Sequence, residues 1–450
     1  MVKRNSKFPT PSWIGMIHGL DYLGSLKSYP KKCVWIFFLI ITIAISVYLT
    51  IYTMEEFLEN KTMTVFKIKN VPWIKYHGIT LCPKYSDVYN VSRIKQKLLT
   101  IDSSLTNDDL NKFLIYLSAG GGFDNYDKIL KELNDESLLN FESMLQRIVK
   151  SFGSIEKLYS FVFDEQNISC DDFFEICYFG NRKKNCCEMF EETFVLIRGK
   201  CFKMKDYYQI SPDEMDKISL VIKPIRSAFI GNSSFQEQVV VYSSERKKYV
   251  SFFPRFYIYG NNQNILKFSK YVYYLMNNNN RCNPNRNYEG LSMCYIDYWL
   301  KTKLHDPYNC TLFYMGYKRW KMCDPIIILK NYEKIMSVAL DNIKCLQACT
   351  YEEIRTEFFS KHLGYTLDGT KNKTDSRIRV EFSYLKMENY IYKEVSKLTL
   401  SGYISELGGY TSLFIDLNIV SVLIAALIMI KYIYKKFLKM KIDGRIGIGL

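Results

Sequence analysis

The sequence predicts a membrane protein of the mixed α+β class, with two transmembrane helices flanking a large, disulfide-rich extracellular domain. Three observations predict it. Two apolar stretches, 34–53 and about 412–430, lie near opposite ends of the 450-residue chain. Each has the length that a helix needs to cross a hydrocarbon core. All but one of the thirteen cysteines fall between them. The segment between also carries helix-spaced and strand-alternating apolar patterns.

Along the chain the expected boundaries are a cytoplasmic tail over 1–33, a first transmembrane helix over 34–53 and an extracellular domain over 54–409. A second transmembrane helix over 410–434 and a cytoplasmic tail over 435–450 complete it. Charge sets the orientation. Lys3, Arg4, Lys7, Lys27, Lys31 and Lys32 precede the first span against Asp21. Lys431, Lys435, Lys436, Lys439, Lys441 and Arg445 follow the second against Asp443. Six bases less one acid is +5 on each side, which leaves +5 of the net +15 for the outer domain. Short basic flanks stay in the cytoplasm, so both termini are expected inside a multi-pass plasma-membrane protein. A cleaved signal peptide would have a shorter apolar region close to the start. The basic tails suit anionic membrane lipid, and nucleic acid is not an expected partner.

Cys82, Cys170, Cys177, Cys186, Cys187, Cys201, Cys282, Cys294, Cys310, Cys323, Cys345 and Cys349 lie outside, leaving only Cys33 on the inner side. An even number in an oxidising compartment reads as disulfides, with the pairing open. The adjacent Cys186 and Cys187 are expected to bond elsewhere. No Cys-x-x-Cys pair or Cys/His quartet has zinc spacing, so no metal site is expected. Glycosylation sequons at Asn60, Asn90, Asn167, Asn232 and Asn372 fit the same topology. Asn309 is a weaker acceptor because Cys310 occupies its middle position.

Within the outer domain, 104–165 reads as helical. Leu138, Leu139, Phe141, Met144, Leu145, Ile148, Val149 and Phe152 recur at helix spacing, and Thr106-Asn107-Asp108-Asp109 marks a helix start. Residues 239–242, 249–253, 256–259 and 377–384 read as strands, and 330–355 as largely helical. Gly120-Gly121-Gly122 reads as a flexible loop, since no Lys-Ser/Thr follows to make a phosphate cradle. Four histidines are scattered, and no Ser/His/Asp or Cys/His arrangement can be assembled. No enzyme and no cofactor are expected.

Several short motifs in order resemble the degenerin/epithelial sodium channel family. His18-Gly19 resembles its tail motif, followed by Lys31-Lys32 and Trp35. Gly78-Ile79-Thr80-Leu81-Cys82-Pro83 is similar to the segment after its first span. Cys187-Glu188-Met189-Phe190, Thr193, Gly199 and Cys201-Phe202 follow its mid-chain cysteine pattern loosely, and the six cysteines from Cys282 to Cys349 resemble its thumb. Arg379–Leu385, Tyr390 and Glu394, leading to Ser405-Glu406-Leu407-Gly408-Gly409, resemble its strand and entry to the second span.

The resemblance implies a trimer, homomeric or with related subunits, in which three second spans line a sodium-permeable pore of the amiloride-sensitive type. It implies a β-sheet palm with helical finger and thumb, and gating through the extracellular domain. It assigns gating roles to His18, Gly19, Ser405, Glu406, Gly408 and Gly409. A permeant sodium or other monovalent cation is the only small partner expected. The place of the family's small-residue filter holds Asp416-Leu417-Asn418, and Ile424 stands where an acid is usual. A carboxylate in a span costs about 2.5–3.5 kcal/mol on insertion scales unless it faces a polar cavity. Three of them about 8 Å apart would repel by about 2 kcal/mol per pair at an effective dielectric near 20. Rings of Asp favour cations, so Asp416 and Asn418 are expected to line the path. Two alternatives stay open for Asp416: a helix cap at the outer interface, or a filter that conducts poorly and makes the chain an accessory subunit. A non-conducting membrane receptor or adhesion protein on the same scaffold is the alternative from another class.

Overall fold

A computed structural model describes residues 22–23, 26–131, 135–230, 234–277, 280–316, 320–339, 343–362, 377–415, 427, 430–431 and 433–435. Its longer helices are α1 (Tyr29–Leu58), α2 (Val91–Ile101), α3 (Asn107–Gly120), α4 (Asp135–Phe152), α5 (Leu291–Leu300), α6 (Pro325–Lys330) and α7 (Leu400–Ile415). The chain divides into two compact units, Met1–Thr64 with Glu394–Leu450, and Val65–Lys393.

In the first unit, α1 runs beyond the expected 34–53 at both ends. Its 30 residues span about 45 Å at 1.5 Å each, more than the hydrocarbon core requires. Phe37, Ile40, Val47 and Ile51 are exposed on it, while Ser46 and Thr53 are its buried residues. An apolar helix that shows its large side chains outward suits lipid rather than water. Among the described residues it is the one helix long and apolar enough to cross a membrane.

The second unit joins two sheets to a helical cluster. The strands are β1 (Thr62–Asn70), β2 (Gly78–Pro83), β3 (Phe174–Phe179), β4 (Arg182–Lys184), β5 (Phe190–Val195) and β6 (Gly199–Met204), then β7 (Ile218–Ile222), β8 (Gln238–Ser244), β9 (Arg255–Tyr259), β10 (Asn262–Tyr274), β11 (Thr350–His362) and β12 (Ile378–Ser396). The larger sheet has the order β11-β10-β12-β7-β3-β4, with β1 paired to β12; the smaller runs β9-β8-β2-β6-β5. Within the larger sheet β10 and β12 run parallel, whereas β10 and β11 are antiparallel over thirteen residues of each. All six residues of β2 are buried, so the Gly-Ile-Thr-Leu-Cys-Pro motif is a central strand. Ile79, Leu81, Phe202, Leu266, Val380 and Phe382 share the core of the sheets.

The helical cluster forms where the apolar period predicts. Thr106 and Asp109 make a reciprocal capping box at the start of α3, which satisfies two orphan backbone donors. The α4 face supplies Phe141, Met144, Leu145 and Ile148 to a core with Phe113, Leu117 and Trp299.

Twelve cysteines pair into six disulfides. Cys82–Cys201 crosses between β2 and β6, and Cys170–Cys187 and Cys177–Cys186 form a nested pair at the end of the larger sheet. Cys282–Cys349, Cys294–Cys345 and Cys310–Cys323 staple the segment that holds α5 and α6. Cys33 is free and exposed.

Three expectations are corrected. Residues 330–355 are not largely helical: after α6, among the described residues, only Tyr332–Met336 is helical, and β11 begins at Thr350. The disulfides at Cys345 and Cys349 hold this stretch, and the Cys349 N–H donates to the Asn283 carbonyl while its carbonyl accepts the Leu275 N–H. Residues 249–253 are no strand. The Ser251 hydroxyl accepts the Phe253 N–H at 3.3 Å, and Val250 and Phe252 turn into separate cores. Nor is the glycine triplet a flexible loop. A Cβ on Gly120 would lie 2.5 Å from Pro325 Cβ, and Gly122 has φ +81° with Leu312 pressed against it. Close approach and positive φ call for glycine there.

His77, just before β2, sits where the sheets meet. Its Nε2 is 2.7 Å from Ser243 Oγ, its Nδ1 is 3.3 Å from Tyr384 Oη, and Phe268 packs edge-on against the ring at 4.4 Å. Burial, followed by the charges of Arg246 and Lys270, pushes its pKa down to about 3. The unfolded chain takes up a proton near the ordinary value of about 6.5, while the native ring stays neutral. Native stability is therefore full above that pH and falls as the pH drops from 6.5 toward 3, by at most about 1.4 kcal/mol per unit. His77→Gln is expected to flatten the fall in unfolding free energy between pH 7 and 5; an unchanged slope in denaturant titrations would assign it to other groups.

Candidate pore-entry site

The chain enters α7 through a short polar turn. The Ser396 hydroxyl donates to the Leu398 carbonyl at 2.8 Å, and Thr399 Oγ1 accepts the Gly402 N–H at 3.1 Å, which caps the first turn. The Lys397 N–H donates to the Lys61 carbonyl at 2.8 Å, and its ammonium pairs with Glu56 near the end of α1. Hydrogen bonding to Glu56, with its charge, raises the Lys397 pKa. Phe57 stacks on Tyr403 at 4.6 Å between centroids. The end of α1 and the first turn of α7 are thus fastened by an ion pair, a backbone bond and an aromatic stack.

The stack orients α7. Tyr403, Leu407, Tyr410, Thr411 and Phe414 are half-buried, and Thr411 Oγ1 returns its proton to the Leu407 carbonyl at 2.8 Å. Ser401, Ile404, Ser405, Glu406, Gly409, Ser412 and Leu413 are exposed. Ser401, Ser405, Gly409 and Ser412 follow at helical spacing, so a strip of small residues lies on a face that the chain leaves open. A Cβ at Gly408 or Gly409 would meet nothing within 4 Å. Glycine in a helix interior costs about 1 kcal/mol relative to alanine, and packing among the described residues gives no reason for either one.

Of the expected site residues, the structure brings Ser405, Glu406, Gly408 and Gly409 together on α7. His18, Gly19, Asp416, Leu417, Asn418 and Ile424 lie outside the described residues, as do Asn232 and Asn372. Asn60 is exposed just after α1. The Asn90 side chain caps α2, accepting from the Arg93 N–H at 3.1 Å, and Asn167 is half-buried.

Sequence reasoning missed the fastening of the two helices. Lys397 and Glu56 are 341 positions apart, and only folding shows their pairing. It also missed the buried seam of α1. Ser46 and Thr53 carry a readable signal, hydroxyl residues one heptad apart in an apolar run.

Comparison with known proteins comes down to one strong finding. No curated protein matches the chain. Among solved structures, the cryo-EM structure of a proton-activated chloride channel aligns over 89% of this chain and 97% of its own, at 8% identity and a TM-score of 0.33. A score that low carries no assignment of fold or function. The family model described as "Amiloride-sensitive sodium channel" matches residues 15–423, most of the chain and both ends of the region described above. The chain belongs to the amiloride-sensitive sodium channel family.

Proposed function

We propose that this chain is a subunit of a trimeric, sodium-permeable cation channel of the amiloride-sensitive type, gated through its extracellular domain. The observation that carries the reading is the open strip of α7. Small residues at Ser401, Ser405, Gly409 and Ser412, with a glycine pair that packing among the described residues does not require, suit close approach by a second copy or an ion path. Family membership supplies the class of activity.

In this reading α1 and the segment from 410 to 434 both span the plasma membrane, with the tails over 1–33 and 435–450 in the cytoplasm and the disulfide-bonded unit outside. The larger sheet acts as palm, the α2–α4 cluster as finger and the cystine-stapled α5–α6 segment as thumb. Asp416 follows Ser405 by eleven residues, three helical turns, so a helix continued that far would carry it on the same strip. Asp416, Leu417 and Asn418 then form the constriction, and a ring of carboxylates draws cations. His18 and Gly19 support gating from the inner side. A second reading rests on Asp416 itself: replacing small residues by a carboxylate and an amide would narrow the path and make the chain an accessory subunit of a heterotrimer.

Whole-cell recording with sodium replaced, for the chain alone and with related subunits, separates the readings. Asp416→Asn is expected to change the sodium-to-potassium permeability ratio by at least about twofold, read as a shift in reversal potential; an unchanged ratio and conductance would remove Asp416 from the ion path. Ser405→Val is expected to raise resting current severalfold by placing bulk on the open strip. A resting current equal to wild type at equal surface expression would take Ser405 out of the gate.

A further inference from the structure

A cavity of about 600 Å³ in the unit Val65–Lys393 opens between the residues that lead into β2, the turn after β8 and the start of β11. Its volume is within the range of small-molecule sites. Trp73, Val272, Tyr274, Tyr288 and Ile354 give it an apolar, aromatic wall. Lys75, Arg246, Lys247 and Lys270 line it against two carboxylates, Glu245 and Glu352.

The charges are unevenly paired. Glu352 takes Lys270 at 2.7 Å, and Glu245 takes Lys247 at 3.6 Å. Lys75 and Arg246 are left to share one acid, Asp206, at 2.6 and 2.5 Å. Lys203 on β6 adds its charge to the same carboxylate, while its ammonium donates to the Lys247 carbonyl at 3.2 Å. Among the described residues of this cluster, five bases therefore face three acids, an excess of two positive charges. Asp206 is exposed, so water and salt screen its pull, whereas Arg246 and Lys270 are largely buried and screened less.

Arg246 is also fixed in place. Its guanidinium donates to the Tyr76 and Lys205 carbonyls at 3.1 and 2.7 Å, which position the group without neutralising it. With the Asp206 bond, these occupy three of its five N–H donors. The positive field reaches the buried end of the cavity, where Arg246 and Lys270, after burial itself, act to keep His77 unprotonated.

We propose that this cavity binds a small organic carboxylate that carries an aromatic ring, its charge between Lys75 and Arg246 and its ring against Trp73 and Tyr274. The excess of base selects an anion, and the aromatic wall selects a ligand that is more than an inorganic ion. Occupancy is measurable without current, so the site stands or falls apart from the channel function.

The test is calorimetric titration of the full chain in phosphatidylcholine nanodiscs with phenylacetate. Benzyl alcohol and phenethylamine keep the ring without the negative charge, and acetate keeps the charge without the ring. Saturable binding of phenylacetate alone is expected. Lys75→Gln is expected to weaken it at least about fivefold, and Trp73→Ala about threefold. Asp206→Asn, which frees Lys75 and Arg246 from their shared acid, is expected to tighten it at least about threefold. A gain of affinity cannot come from misfolding, so this variant keeps the test if Lys75→Gln fails to fold. No saturation below about ten millimolar, equal binding of any of the three control compounds, or unchanged affinity in any of the three variants would overturn the proposal.

Discussion

Lys397 meets Glu56, and Tyr403 meets Phe57, across a loop of more than three hundred residues. Closing so long a loop costs about 5 kcal/mol in chain entropy, from its logarithmic dependence on length. An exposed ion pair and one aromatic stack cannot supply that alone. The closure is carried by the unit between. There β1 pairs with β12, the Val71 N–H donates to the Met387 carbonyl at 3.0 Å, and Phe66 stacks on Tyr390 and packs at a tilt against Tyr392. Once residues 66 and 390 are neighbours, only short connections remain to residues 57 and 403, and the weak contacts there serve to select a geometry.

The unit Val65–Lys393 resists the same entropy in another way. Its disulfides close loops of very different span, from the separation of 9 between Cys177 and Cys186 to that of 119 between Cys82 and Cys201. In the chain-entropy account the longest removes the most freedom from the unfolded state, about 4–5 kcal/mol. It does so beside β2, the buried strand on which the smaller sheet is built. Asp124 and Arg198 add a buried ion pair at 3.2 Å, and Arg198 also donates to the Tyr242 hydroxyl and the Lys84 carbonyl. Such a pair specifies one arrangement more than it adds stability.

The function proposed for this chain rests on a surface that the described residues leave open. Among the described residues a Cβ at Gly408 or Gly409 meets nothing within 4 Å, whereas Gly120 and Gly122 are filled to contact by Pro325 and Leu312. The contrast separates glycines that packing among the described residues demands from glycines that it does not. Membership of the amiloride-sensitive sodium channel family gives the proposed function its class.

Much of this was legible in the sequence because it depends on short-range periodicity or composition. The apolar run of α1, the Thr106–Asp109 cap, the buried face of α4 and the alternation of β12 each follow from the period of one element. The order of motifs from His18 to Gly409 was enough to identify the family. Tertiary structure alone decided the rest. Which cysteines join, why 330–355 holds one short helix and a strand, and why Val250 and Phe252 leave the strand pattern all depend on partners remote in the chain. The same holds for Glu56 with Lys397 and for the cavity wall at Glu245. A local pattern reports which face a residue prefers, and it carries no information about which distant residue will be folded against that face.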